Sequence, residues 1–492
     1  MAGASVGIQG VTRPTLGILE DGPTMQPRRE NSVSLGEAIF GETDLGDQRR
    51  TKRLVTVFEQ LRVHPGGTLP EKLKSPKDLR ALYRLCACPK LTHAVVMGAI
   101  AGHTLEMVSE HPEPILILHD GTELDYTTLT SLSGQLGQIG KGYGRGYICH
   151  NSLAVDPAGR EVFGLTNQIL HRRVKRPKRE TLTQSRERKS RESRLWLRGT
   201  EGLPADWHLV DVCDQGADTF EFLEHECHSG RRFVIRSKQQ RAVYGGHEMQ
   251  GKRQPLSKYV RSLSPLGSRT LQIQFQNGKP CRRARKGEFQ ISGAAVLVPR
   301  PHARHGNHGH QPLRMWVVRI FEMKPPKGQK RLEWVLVTNE PVHNLEDALR
   351  VIGWYEARWV IEEFHKAMKT GCGIEKMQFT TTDRLNPMIA VLSAVATTLL
   401  NLRTASRRED AQTRPATDVV SVAYIRVLSG WRYEQVRDNL TVWEFFFALA
   451  RLGGHQNRKH DKRPGWLVLW RGWNTLQAML DGARAVQRKK CG

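Results

Sequence analysis

The chain has 492 residues, 39% of them hydrophobic, and carries 75 Lys and Arg against 49 Asp and Glu, a formal net charge of +26. That length exceeds a single compact core and suits two or three globular domains. So large a basic excess implies a polyanionic partner, because each neutralised phosphate releases condensed counterions; the cations run through folded-looking sequence, which favours nucleic acid over a membrane surface.

Residues 1–34 are rich in Gly, Pro, Thr and Ser and read as a poorly ordered leader. The N-terminus shows no charged segment followed by an apolar run, so no secretory signal is expected. Asp47 is placed to cap a helix, QRRTKRLVTVFEQL, with Leu54, Val57, Phe58 and Leu61 at core spacing and Arg49, Arg50, Lys52 and Arg53 on the other face. A second helical stretch carries Lys77, Arg80 and Arg84. Residues 35–110 therefore read as a small basic helical domain, either a reader of DNA ends or a bundle with a solvated surface.

From Pro114 the texture changes. The apolar run Ile115–Leu118 ends in His119-Asp120, and Tyr147–Val155 and Glu161–Gln168 read as paired strands about the turn Asp156-Pro157-Ala158-Gly159. Residues 171–194 form a dense basic run, an exposed loop or helix. Trp207–Cys213 is a strand ending in Asp214, and Arg231–Ser237 is a further apolar run. Strands separated by helical patterns indicate an α/β core. Residues of about 240–340 break the rhythm, with hairpin strands Tyr259–Gln276 and Phe289–Pro299 around the basic patch Arg282, Arg283, Arg285 and Lys286, and read as a β-rich insertion. His302, His305, His308 and His310 lie among Gly and Asn without a Cys or carboxylate, so a surface loop is favoured over a metal site.

Pro387–Leu402 is apolar but short and contains Ser393, Thr397, Thr398 and Asn401, as a buried helix would and a membrane span would not. The 8 cysteines are scattered, and Cys86 and Cys88 have poor zinc-ligand spacing; they read as reduced thiols of a cytoplasmic protein. From Trp443 on, FFFALARLGG and WLVLWRGWNTLQAML read as amphipathic aromatic helices suited to core or partner packing.

One predicted helix, Trp354–Ile374, concentrates the chemistry. Tyr355, Arg358, Glu362, Lys366 and Lys369 stand at offsets 0, 3, 7, 11 and 14, within a wedge of roughly 80° on an α-helix. A carboxylate among phosphate-binding cations and a phenol would suit a helix that holds a metal and grips DNA, although mixed charges at this spacing also describe a solvated face. Asp120 and Asp214, each placed at the carboxyl end of an apolar strand, stand where open α/β sheets build sites. With Glu362 they would form a three-carboxylate cluster for two Mg²⁺ ions, with Mn²⁺ as a substitute. Asp125, Asp211, Asp218 and Glu363 are competitors that spacing does not dismiss.

These segments carry a resemblance. YEARWVIEEFHKAMKTG, VCDQGAD and LHDGTELDY, with LGDQRRTKRL, RRFVIRSK, PPKGQKRLEWVLVTNEPV and ALARLGG, resemble in order the cut-and-paste DDE transposases of the insertion sequence four family, from about Leu45 to Leu480. The first block matches that family's Tyr-Arg-Glu-Lys signature at Tyr355, Arg358, Glu362 and Lys369, and the other two fix Asp214 and Asp120 as the aspartates. The resemblance implies an RNase H-like catalytic core in residues 111–405, with the β-rich insertion before Glu362. It also implies an N-terminal helical domain that reads terminal inverted repeats and a C-terminal helical domain, 406–492, that pairs two protomers in a synaptic complex. Its implied chemistry is nicking, hairpin formation, hairpin opening and joining to target DNA by two-metal phosphoryl transfer. Trp334 is similar to the family's stacking residue for a flipped base, and Arg236 to a DNA contact in the cleft. Gln215-Gly216, the histidine tract and the 171–194 run depart from the family pattern. The alternatives are a catalytically silent end-binding protein and a stand-alone RNase H-like nuclease.

Overall fold

The computed structural model describes residues 33–488 apart from 176, 206–207, 274, 276–281, 303–308, 459–460 and 462. The leader up to residue 32, Trp207, Cys281, His305, His308 and Cys491 lie outside the described residues. Helices α1 (Leu35–Phe40), α2 (Gln48–Val63), α3 (Leu69–Leu73), α4 (Pro76–Cys86) and α5 (His93–Ser109) come first. Asp47 caps α2 as its position predicts, its Oδ1 accepting from Arg49 N at 2.8 Å, and Leu54, Val57, Phe58 and Leu61 are fully buried.

A 12-stranded sheet follows. Its strands are β1 (Ile115–Asp125), β2 (Gly137–Gln138), β3 (Arg145–Val155), β4 (Val162–His171), β5 (Leu209–Cys213), β6 (Arg232–Arg236), β7 (Ala242–Gly245), β8 (Gln254–Pro255), β9 (Gly267–Ile273), β10 (Arg285–Val298), β11 (Leu313–Glu322) and β12 (Glu333–Thr338). The order is β2-β3-β1-β5-β6-β12-β11-β10-β7-β8, with β4 on the free side of β3 and β9 on β10. β3 runs antiparallel to both β4 and β1, whereas β5 and β6 run parallel to β1. The apolar start of β1 is buried throughout because strands and helices cover it on every side. Contrary to the sequence expectation, β1 does not end at His119. Its pairing with β5 stops there, but its antiparallel pairing with β3 continues to Asp125↔Gly146.

Strands β7 to β12 fill the region of about 240–340 that was read as β-rich, and β12 pairs antiparallel with β6. Two details differ from expectation. Tyr259 lies on helix α9 (Leu256–Ser262), and β11, paired across its length with β10, was not anticipated. The remaining helices of the Val33–Arg408 unit are α6 (Leu182–Glu187), α7 (Leu195–Thr200), α8 (Phe220–His228), α10 (Leu345–Ala357), α11 (Trp359–Lys366) and α12 (Thr382–Ala405). The single helix predicted over 354–374 is interrupted twice. At Arg358 the hydrogen bonds shorten to i→i−3 (Arg358 N to Tyr355 O, 3.1 Å), and over Ala367–Gly371 they lengthen to a π turn closed by Cys372 N to Ala367 O at 2.8 Å. α12 is long and apolar enough to cross a membrane by composition, but it is mostly buried against α5, β4 and the π turn.

Residues from Glu409 on form a second compact unit. It contains α13 (Val422–Tyr433), α14 (Val442–Leu452) and α15 (Trp466–Arg488). Tyr424 stacks on Trp473 with centroids 4.9 Å apart, and Gln477 Nε2 donates to Tyr424 Oη at 2.7 Å. α14 and α15 touch backbone to backbone: a Cβ on Gly472 would fall on the Leu449 carbonyl. Gly472→Ala should therefore destabilise this unit by about 2–3 kcal/mol, read as a lowered denaturation midpoint; an unchanged midpoint would mean the two helices separate without cost.

Candidate active site

The sheet register assembles the site. His119 pairs with Cys213, so Asp120 and Asp214 follow side by side where the parallel pairing ends; Asp120 pairs with Asn151, and Asn151 with Gln168. Directly paired residues project to the same face. Asp214, Asp120, Asn151 and Gln168 thus form one cross-strand row, and the row meets α11 and α12 through Asp120–Arg358, Asn151–His365 and Gln168–Ser393 contacts.

Arg358 sits at the break between α10 and α11. Its Nη1 donates to Asp120 Oδ2 at 2.9 Å, and its Nη2 pairs with Glu362 one turn on. Gly121 N donates to Asp120 Oδ1 at 2.8 Å. Burial pushes the Asp120 carboxyl up to about 6; Arg358 pulls against this, and the carboxylates of Asp214 and Glu362 add to it. Asp214 accepts from Gly216 N at 2.8 Å and caps the turn Gln215–Ala217. Gly216, one of the departures noted above, is required here, since a Cβ would lie 2.9 Å from Asp214 Oδ1 and inside the Trp196 ring.

The expected three-carboxylate metal cluster is not closed. Among the described residues no three His, Cys, Asp or Glu side chains converge on one point, because the Arg358 guanidinium lies between Asp120 and Glu362. The donor set nevertheless fits a hard divalent cation. It is all oxygen, with the carboxylates of Asp120 and Glu362 both facing the one guanidinium of Arg358.

Tyr355 is buried beside the row. Its ring meets Trp334 edge-on at 5.3 Å, and Arg236, whose strand β6 pairs with β12 at Leu336, lies close enough to act on its hydroxyl. Burial raises the Tyr355 hydroxyl, while Arg358 and Arg236 lower it. Lys369 pairs with Glu375 at 3.4 Å, and exposed Lys366 places Nζ 5.0 Å over the Trp359 ring. On the N-terminal helices Arg49 is exposed, but Arg50 donates to Leu45 O at 3.0 Å and Arg53 pairs with Asp78 at 3.1 Å. Arg49, Arg50 and Lys52 of α2 and Lys77, Arg80 and Arg84 of α4 are exposed.

Geometry removes the competitors. Asp211 is buried against His119 (2.7 Å) and Arg231, Asp218 accepts from Lys238 N and Gln239 N, Glu363 pairs with Arg403, and Asp125 caps Thr127. Part of the 171–194 run is folded onto carboxylates: Arg173 pairs with Glu192 at 2.7 Å, Arg188 with Glu180 at 2.9 Å, and Arg191 and Arg194 both hold Glu221, whereas Arg172, Lys175, Lys178, Arg179 and Lys189 are exposed. The described end of the histidine tract is tied by Gly309 N and His310 N to Glu224.

A buried polar chain was missed from sequence. Asn151 Nδ2 approaches His365 Nε2 at 3.2 Å, Gln168 Nε2 donates to Asn151 Oδ1 at 2.8 Å, and His93 of α5 meets Gln168 Oε1 at 3.1 Å. His365 is one turn from Glu362, and burial holds its imidazole down at about 3, hence neutral. The chain fixes how α11 sits on the sheet. A second tie is Lys72 of α3, whose buried Nζ donates to Cys372 O at 2.7 Å just beyond the π turn. No local signal marks these residues, since their partners lie 75 and 214 positions away for the two histidines.

Residues 141–399 match the protein family described as Transposase DDE domain, and residues 35–91 match the one described as Transposase DNA-binding. These matches are those of a nuclease-like enzyme that acts on DNA. The chain belongs to the DDE transposases: it is a DNA transposase, with a DNA-binding segment followed by the DDE domain. Asp214 and Glu362 fall inside the matched span, and Asp120 lies ahead of it.

Two outcomes follow from this geometry. The raised Asp120 carboxyl favours the fold fully below its ordinary value of 3.8, and this contribution is lost as pH rises through about 6, a change of roughly 3 kcal/mol. In chelator, the melting temperature of Asp120→Asn should therefore gain on that of the unsubstituted protein between pH 5 and 8; a gap independent of pH would contradict the shift. Asn151→Leu should slow DNA cleavage at least tenfold with end-binding affinity unchanged, and His365→Gln, which retains an acceptor, should cleave nearly normally. Equal loss in both would show a packing effect only.

Proposed function

We propose that the protein is a cut-and-paste transposase of the insertion sequence four type, similar to the transposase of transposon Tn-five, which binds terminal inverted repeats, cuts them through a hairpin and joins them to target DNA. The carrying observation is the row that sets Asp120 beside Asp214 and links Glu362 to it through Arg358. The strand order β4-β3-β1-β5-β6, three antiparallel strands followed by two parallel ones, supports an RNase H-like core.

Asp120, Asp214 and Glu362 would hold Mg²⁺, the divalent cation such transposases commonly use, which supplies Lewis-acid activation and charge neutralisation at phosphorus. Each step is an in-line displacement: a water or 3′-hydroxyl oxygen forms the new P–O bond and gives up its proton, and the departing 3′-oxygen takes one. Arg358 and Lys369, with Lys366 at the rim, hold non-bridging oxygens, the arginine through paired N–H groups. Trp334, already edge-on to Tyr355, stacks on a base flipped from the strained hairpin. Arg236, beside the Tyr355 hydroxyl, contacts DNA in the cleft. Two copies of the chain pair in the synaptic complex through the unit beginning at Glu409. A silent end-binding protein is the second reading, favoured by the Arg358 bridge if it stays closed on DNA.

The test is a labelled duplex ending in the element's own inverted repeat, incubated with Mg²⁺ and resolved on a denaturing gel. A nick at the repeat boundary and then a hairpin are expected. Asp120→Ala, Asp214→Ala and Glu362→Ala should each abolish both while sparing end binding, and Trp334→Ala should reduce hairpins more than nicks. Tight binding without cutting, in Mg²⁺ and in Mn²⁺, would leave the silent reading.

A further inference from the structure

The ribbon that carries Asp120 ends in a glycine-rich tip, Gly140-Lys141-Gly142-Tyr143-Gly144-Arg145, between β2 and β3. Tyr143 is 90% exposed, more than any other large apolar side chain among the described residues. The backbone beneath it is nevertheless held. Ile139 N donates to Gly144 O at 3.0 Å, Gln138 Nε2 to Gly142 O at 2.9 Å, and Gly140 N to Glu123 Oε1 at 2.8 Å. Arg145 Nη1 reaches Gly144 O at 3.1 Å. Gly142, at φ +103°, takes a conformation that side chains avoid. A preset tip that keeps an aromatic ring in water has no role in packing. Its surroundings are cationic: Lys141 is exposed, Arg145 is half-buried, and exposed Arg172 at the end of β4 donates to Gly134 O at 2.8 Å. Of the carboxylates beside the tip, Glu123 is engaged by Gly140 N and Arg173, and Asp125, which pairs with Gly146, accepts from Thr127.

We propose that this tip is a target-DNA contact, in which Tyr143 stacks on a base or sugar while Lys141 and Arg145 take the flanking phosphates. The inference rests on the reading that DNA lies over the Asp120 row. From Asn151, opposite Asp120, to Tyr143 is 151 − 143 = 8 residues along the ribbon, about 26 Å at strand rise, or about eight base steps of duplex. A duplex cut at the row and running along the ribbon therefore reaches the tip. Stacking and phosphate contacts tolerate any sequence, which suits target DNA, whereas residues 35–91 match a separate transposase DNA-binding family that the proposed function assigns to the repeat.

The test compares Tyr143→Ala and Tyr143→Trp with the unsubstituted full-length protein in separate nicking and joining assays, the latter using pre-cut repeat ends and a plasmid target. Tyr143→Ala should fold with an unchanged melting temperature, nick normally and lose about tenfold in joining, and Tyr143→Trp should join normally. The anisotropy-measured affinity of Tyr143→Ala for a non-specific duplex should fall similarly, independently of catalysis. Equal loss of nicking and joining would assign the tip to the transposon end and overturn the proposal, as would normal joining by Tyr143→Ala. If the unsubstituted protein neither nicks nor joins, the active-site reading fails, and the anisotropy comparison still decides whether Tyr143 contacts DNA.

Discussion

A single guanidinium shared by two carboxylates governs this site. Asp120 comes from the sheet and Glu362 from a helix, and both carry the same charge in a partly buried place where that charge is poorly screened. Without Arg358 the repulsion would push α11 off the row. The helix break at Arg358 gives the side chain its position, since an arginine at the junction can reach down to β1 and forward to the next turn together. Neutral His365 then fixes the rotation of the segment against Asn151 without adding charge beside the carboxylates.

The reverse face of β1 solves a different problem with similar residues. His119 lies between Asp211 (2.7 Å) and Ser152 (2.9 Å), and Arg231 closes on Asp211. Burial works against the ionised Asp211, but His119 and Arg231 outweigh it and hold it low, whereas burial and Asp211 drive the neighbouring Glu226 well up toward the neutral form. The Ser-His-Asp arrangement suggests a nucleophile, but all three residues are fully buried and no substrate reaches them. It is a core network that ties β1, β3 and β5 together, and it braces the strand whose opposite face carries Asp120.

Local chemistry was legible in the sequence and register was not. The cap at Asp47, the core stripe of α2, the strands around Asp156–Gly159 and the chain order of carboxylates all follow from short-range rules. The end of β1 was misjudged because its apolar run stops at Leu118 while its partner β3 continues; only the partner reveals the strand's length. The helix over 354–374 was drawn too regular because nothing in its composition marks the switch to 3-residue and then 5-residue hydrogen-bond spacing. The basic run after His171 is largely exposed, as expected, but the sequence did not show that Arg173, Arg191 and Arg194 would pair with Glu192 and Glu221, carboxylates whose placement depends on how the chain folds back.

Because the site is a row, tolerance to changes in chain length must be unevenly distributed along the gene. Adding or deleting one residue within Ile115–His119 would turn Asp120 into the core and His119 outward, so the reading of that short segment is fixed in phase as well as in content. The turn at Asp156–Gly159 joins β3 to β4 far from the row and transmits no such phase error. Natural relatives of this chain should therefore vary in length at that turn and be invariant in length ahead of Asp120.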